Sequence, residues 1–250
     1  MFDLTGRVAL VTGAGAPGGI GLAIAKQLKA AGAEVTITAT TSRILERGTE
    51  LNCQSFIADL TKPEDVSSLA ENFPRIDILV NNAGMTSLKN PLAGDETGPL
   101  TEISYDGWQR GIKRNLDTSF LVTQSFLPKL RQSRYGRIIF ISSVTGALMA
   151  MRDQPVYAAA KAAMLGLMRS VALDEAKFGI TVNAILPGWI ATDTQSEGEK
   201  SEGMSVPLGR TGRPEEIAAL VHWLASDGAA YMTGQSLVVD GGNAIAEERK

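Results

Sequence analysis

Short apolar runs alternate with longer amphipathic stretches along the whole chain. Val8 to Val11 reads as a buried strand. Gly19 to Ala31 then has helical periodicity, because Ile20, Ala23, Ile24, Leu28 and Ala31 share one face. Gly32 predicts the end of that helix. Val35 to Ala39 predicts a second strand, Arg43 to Leu51 a helix and Gln54 to Ala58 a short strand. Pro63 to Asn72 predicts another helix, with Thr61 as its N-cap. Ile76 to Val80 is a continuous apolar run, which suits a parallel strand buried on both faces. Ser104 to Leu130 predicts a long helix, open to an interruption, and Arg137 to Ile141 another strand. An Ala- and Leu-rich helix follows over Val156 to Phe178, then a strand over Thr181 to Leu186. Arg213-Pro214-Glu215-Glu216 has the form of a helix start, with Pro near the first position and acids in the first turn. Gln235 to Val239 predicts the last strand.

Such alternation predicts right-handed βαβ units. The fold class is therefore α/β, a doubly wound parallel sheet of about seven strands with helices on both faces. No low-complexity linker divides the sequence, so residues 1–250 are expected to form a single domain. Met85 to Thr101, with Lys89, Asp95 and Glu96, reads as a long polar loop. Thr192 to Pro207 has few apolar anchors, and 193–207 is expected to be a mobile segment beside the substrate.

Composition narrows the function classes. Hydrophobic residues make up 44% of the 250 residues and charged ones 20%, enough apolar material for a sizeable core. The 24 basic and 27 acidic residues leave a net charge of -3, which argues against a nucleic acid or a polybasic membrane contact as partner. With one cysteine, Cys53, no intramolecular disulfide can form. With one histidine, His222, no His cluster can bind a metal, and a Ser-His-Asp triad is a poor fit. No stretch looks apolar over the ~18 residues that span a bilayer, and Met1 to Arg7 lacks the build of a secretory signal. The expectation is a cytoplasmic protein without a metal.

Three motifs carry chemistry. Thr12 to Gly21, read TGAGAPGGIG, lies between the first strand and the first helix. Glycines there let the backbone approach a diphosphate that the helix N-terminus stabilises, although an ordinary tight turn has the same look. Asn81-Asn82-Ala83-Gly84 falls at the carboxyl end of the fourth strand, where open α/β sheets bind ligands. Tyr157 and Lys161 are four apart and share a helix face. An ammonium beside a phenol favours the phenolate, so the pair predicts a Tyr tuned for proton exchange. Ser143 follows the strand ending at Ile141 and could hydrogen-bond a substrate oxygen.

In this order, with Asp59-Leu60, Asn115, Asn183, Pro187-Gly188-x-x-x-Thr192 and Asp240-Gly241-Gly242, these motifs resemble the classical short-chain dehydrogenase/reductases over essentially the full length. The 3-oxoacyl-(acyl-carrier-protein) reductase type is closest in appearance. The resemblance implies a Rossmann-like fold and a homotetramer. It implies Tyr157 as acid/base, Ser143 positioning the substrate oxygen, Lys161 on the nicotinamide ribose and lowering the Tyr157 pKa, and Asn115 in a proton relay. It further implies that Gly13, Gly19, Ile20 and Gly21 line the diphosphate, Asp59 and Leu60 the adenine, and Asn82, Ala83 and Gly84 the adenosine side. Pro187, Gly188, Ile190 and Thr192 would hold the carboxamide side. Five residues, Ala14 to Gly18, stand where the family has three, so Gly15 or Gly18 could substitute at the phosphates. The Ser143-to-Tyr157 spacing is also one residue longer than in the closest type. In the intervening loop Leu148, Met149 and Met151 suggest an apolar pocket wall, with plain packing as the alternative.

An acid at the end of the second strand would select NAD. Ala39 stands there, followed by Thr40-Thr41-Ser42-Arg43. Hydroxyls and an arginine suit a 2′-phosphate, which favours NADP(H), with NAD(H) the alternative. The expected activity is hydride transfer between NADP(H) and a ketone or secondary alcohol, possible substrates including a 3-oxoacyl thioester. The alternatives are an NAD-dependent alcohol, sugar or steroid dehydrogenase, and a non-catalytic dinucleotide sensor or scaffold. His222, on an apolar helix, reads as a packed or interface residue and Cys53 as a small buried hydrophobe.

Overall fold

The computed structural model describes residues 2–84, 92–193 and 195–247. Seven strands form one sheet: β1 (Val8–Thr12), β2 (Glu34–Ala39), β3 (Gln54–Ile57), β4 (Ile78–Asn81), β5 (Arg137–Ile141), β6 (Thr181–Pro187) and β7 (Ser236–Val239). Every pairing is parallel, and the order is β3-β2-β1-β4-β5-β6-β7. The chain winds outward one way from β1 to β3, then returns and winds the other way from β4 to β7. At that reversal the loops after β1 and β4 part, which opens a cleft outside the strand ends.

Alternate side chains on each strand enter opposite cores. Ala9 and Val11 of β1, with Ile139 and Ile141 of β5, pack in a layer against α1 (Ile20–Ala30), α2 (Arg43–Leu51) and α9 (Pro214–Ala225). Leu10, Ile138 and Phe140 enter the other layer, against α3 (Pro63–Glu71), α5 (Thr118–Ser133) and α7 (Pro155–Glu175). Burial on both faces is why β4 and β5 read as unbroken apolar runs.

The long helix expected over Ser104 to Leu130 is divided. α4 (Tyr105–Ile112) passes into a π-helical turn at Lys113–Asp117, and α5 continues from Thr118. Such turns insert one extra residue and rotate the helix surface, often at functional sites. Asn115 lies in this turn, buried. A short turn, α6 (Val144–Ala147), follows Ser143.

Three expectations need correction. The 193–207 segment, read as a loop, contains α8 (Glu197–Met204). A capping box starts it: Ser196 accepts from the Glu199 amide, and the Glu199 carboxylate accepts from the Ser196 amide. Thr194 of that segment lies outside the described residues, as do 85–91 of the polar loop, including Lys89. Thr61 does not cap α3. Its hydroxyl and amide both donate to Asp59 Oδ1, and Lys62 takes the cap position. Finally, Pro155–Phe178 is long and apolar enough, by length and composition, to cross a membrane. Its apolar residues include the core-facing Val156, Ala160, Met164, Leu165 and Met168.

Candidate active site

Each segment flanking the cleft is placed by a strand end. The turn after β1 needs glycine at two positions. Gly13 has φ +70°, and a Cβ there would lie 2.8 Å from the Ala83 Cα. A Cβ on Gly21 would lie 2.6 Å from both the Gly13 carbonyl oxygen and Asn82 Nδ2. Asn82 ties the turn to the end of β4, its Nδ2 donating to the carbonyls of Thr12 at 2.9 Å and Gly13 at 3.1 Å. The Thr12 hydroxyl accepts from the amides of Asn82 and Ala83, both at 3.0 Å. Much of the asparagine motif's work here is to clamp two adjacent strand ends.

On the other side of the reversal, Ser143 follows β5 and Tyr157 and Lys161 lie on α7. Ser143 and Lys161 are buried, while Tyr157 stays partly open to the cleft. Lys161 Nζ donates to the Ile141 carbonyl at 3.0 Å and lies 5.7 Å from the Tyr157 ring centroid. The Lys161 carbonyl accepts from the Ser142 hydroxyl at 2.9 Å, which fastens α7 to β5. Asn115 Nδ2 donates to the Gly111 carbonyl at 3.0 Å, within the widened turn. Asn115 Oδ1 and Lys161 Nζ flank Gly84: a Cβ there would meet them at 3.2 and 3.5 Å. A glycine at 84 leaves that space open.

The electrostatics differ from the sequence expectation. Burial pushes the Tyr157 phenol above its ordinary range, the hydrogen bond with Ser143 pulls it down, and the Glu199 charge on α8 adds to the rise. Lys161 is not among the groups that shift it, and burial pushes its own ammonium down from 10.5 to about 8. At neutral pH the phenol therefore keeps its proton.

The cleft holds about 1460 Å³, more than the roughly 300–1,000 Å³ of an ordinary small-ligand pocket. Of the residues expected at the cofactor, Gly13, Gly15, Gly19, Ile20, Gly21, Thr40, Arg43, Asp59, Leu60, Asn82, Ala83, Gly84, Tyr157, Lys161, Pro187, Gly188, Ile190 and Thr192 line it, while Gly18, the alternative to Gly15 at the phosphates, does not and has its amide bonded to Asp193. Ser143 lines it too, and Asn115 stands behind Gly84. Met149 and Met151 line the wall as expected, but Leu148 does not and is 60% exposed. Sequence reasoning missed Trp189, just past the end of β6; Asp193, Gln195 and Glu199 lie in the segment expected beside the substrate, and the helix that carries Glu199 was the part not foreseen. The Ser196-x-x-Glu199 capping signature was the available signal.

The expected charged loop is in part an ion-pair cluster. Glu96 is buried and meets Arg114 at 3.1 Å and Arg110 at 3.5 Å, while Asp95 pairs with Arg110 and Ser104. Away from the cleft, His222 is packed as expected, with Gln27 Nε2 3.0 Å from its Nδ1 and Phe2 edge-on to its ring. Cys53 is only half-buried, at the entry to β3.

Residues 13–244 match the family described as enoyl-(acyl carrier protein) reductase. The chain belongs to the short-chain dehydrogenase/reductase family. It is an oxidoreductase by that membership. The 3-oxoacyl-(acyl-carrier-protein) reductase FabG of Rickettsia felis is 39% identical over 249 residues, covering 97% of this chain and 98% of the relative. FabG of Escherichia coli K12 is 39% identical over 252 residues, covering 96% and 98%. Among solved structures, the Pseudomonas aeruginosa RhlG/NADP active-site complex superposes with a TM-score of 0.86 at 35% identity, covering 98% of each chain. The seven-stranded parallel sheet is the Rossmann-like fold that the family resemblance implied.

Proposed function

We propose that this short-chain dehydrogenase/reductase is an NADP(H)-dependent carbonyl reductase that acts on 3-oxoacyl thioesters. The observation that carries this reading is the grouping of Ser143, Tyr157 and Lys161 on the same cleft as the glycine turn. The names of the FabG relatives support the substrate class, and the NADP complex of RhlG supports the cofactor. Residues 1–250 act as one catalytic domain, with the segment around α8 shaping the substrate side.

The glycine turn fits a dinucleotide: glycine at 13 and 21 lets the turn pack tightly against Asn82 and Ala83, and the N-terminus of α1 that follows has no side-chain cap and no acid in its first turn. Bound there, the nicotinamide would supply or accept the hydride. The chain's own residues handle the proton. Ser143 and Tyr157 hold one substrate oxygen, and Tyr157 gives its proton to that oxygen during reduction. Lys161 anchors the ribose, and Asn115 holds the space behind Gly84 through which the proton is replaced. Asp59 and Leu60 border the adenine, while Pro187, Gly188, Ile190 and Thr192 border the carboxamide.

Thr40 and Arg43 take the 2′-phosphate, with Ala39 leaving room and adding no repulsion. Ala39→Asp is expected to lower the preference for NADPH over NADH by at least about tenfold, through like-charge repulsion worth about 1.4 kcal/mol or more. An unchanged ratio of kcat/KM values would remove this residue from the ribose site.

A parallel assay tests the reaction itself. Oxidation of NADPH with a 3-oxoacyl thioester, but not with the matching 2-enoyl thioester, supports carbonyl reduction. The opposite pattern overturns it. We also propose a homotetramer, supported by exposed apolar Phe120 on α5 and Leu173 on α7. Light scattering should then give four times the chain mass, and a monomer mass would overturn it.

A further inference from the structure

α1 begins without an anion of its own. Its N-cap is Gly19, no side chain caps it, and its first turn holds no acid. A helix N-terminus left in this way attracts negative charge. The charge present comes from far along the chain. Asp193 Oδ2 accepts a hydrogen bond from the Gly18 amide at 2.7 Å, across 175 positions of sequence. Glycine at 18 makes room for this contact, because a Cβ there would overlap the carboxylate. Gly18 belongs to the lengthened spacer of the turn, and Asp193 lines the same cleft as Gly15, Gly19 and Ile20.

We propose that Asp193 is an internal competitor for the cofactor diphosphate, holding the Gly18 amide in the free protein and released when a dinucleotide enters. The inference rests on the reading of this cleft as a dinucleotide site. Two anions that approach one helix end repel each other, so the diphosphate and the carboxylate disfavour simultaneous occupancy.

The test compares wild type with Asp193→Asn, which removes the charge, and Asp193→Ala, which also removes the hydrogen bond. Binding of NADPH, ADP-ribose and nicotinamide riboside is measured by calorimetry. Both variants are expected to bind NADPH and ADP-ribose about 3- to 10-fold tighter, as loss of one charge-assisted contact would allow. Nicotinamide riboside, which carries no phosphate, should bind all three proteins equally. Equal or weaker binding of NADPH and ADP-ribose by the variants, with wild-type binding intact, overturns the competitor role and leaves the dinucleotide site standing. Equal tightening of nicotinamide riboside also overturns it. Failure of wild type and both variants to bind any dinucleotide would overturn both readings.

Discussion

Tyr157→Phe is expected to lower kcat by about a thousandfold or more while leaving the Kd for NADPH within a few-fold of wild type. The first half follows from the proton. Reduction of a carbonyl leaves an alkoxide unless a positioned acid supplies the proton, and such acids contribute typically 10²–10⁴-fold. Among the described residues lining the cleft, Tyr157 carries a phenol proton that burial holds more firmly, an effect that Ser143 opposes. Phe keeps the ring and removes the proton, so packing on α7 is conserved. The second half follows from the extent of the cleft, in which Tyr157 is one of many lining residues. Stopped-flow measurement of hydride transfer and a fluorescence titration with NADPH check the two halves separately. Substantial single-turnover reduction by the variant would remove Tyr157 from the acid role.

Lys161→Met should combine a comparable loss of turnover with a distinctive pH signature in stability. Burial holds the folded-state pKa of Lys161 at about 8, against 10.5 for the free side chain. Between those values the unfolded chain binds a proton that the folded chain does not. Stability then rises with pH across that window, and below about pH 8 the cost of the buried ammonium is constant. At 1.36 kcal/mol per pH unit, wild type gains about 3 kcal/mol relative to Lys161→Met as pH rises from 8 to 10.5. Urea denaturation of both proteins at pH 7.5 and pH 10 reads the difference directly. Parallel pH profiles for the two proteins would show that Lys161 is not desolvated as the structure has it. The loss of turnover has another source, because the ammonium also anchors the ribose in the proposed mechanism. A binding assay should therefore show weaker NADPH for Lys161→Met, unlike Tyr157→Phe.

Much of the fold is legible along the chain. Buried parallel strands need apolar side chains on both faces, so β1, β4 and β5 stand out as short unbroken runs. Helices on the two outer faces need one apolar stripe each, and α2 has the bounds its pattern predicts, Arg43 to Leu51. The motif residues are legible for a related reason. Ligands bind at strand ends, so the chemistry follows directly after the apolar runs, as Gly13, Asn82 and Ser143 do. Spacing alone puts Tyr157 and Lys161 on one helix face, since residues four apart are neighbours on a helix surface.

The tertiary structure decided what depends on contacts between distant segments. The π turn at Lys113–Asp117 keeps helical composition, and only its packing sets where Asn115 points. α8 has a weak apolar stripe, so its existence and its place over the cleft come from a local cap and from the surface it covers. The Tyr157 phenol reversed the expected direction because its own burial outweighs the hydrogen bond with Ser143, and the charge of Glu199 adds to the rise. The contact between Asp193 and Gly18 spans 175 positions of the chain, and no periodicity or motif encodes it. Periodicity and local spacing determined the layers, the strand ends and the reactive pair. Burial and long-range proximity decided the protonation states and what lies over the glycine turn, because both depend on which surfaces the folded chain takes out of water.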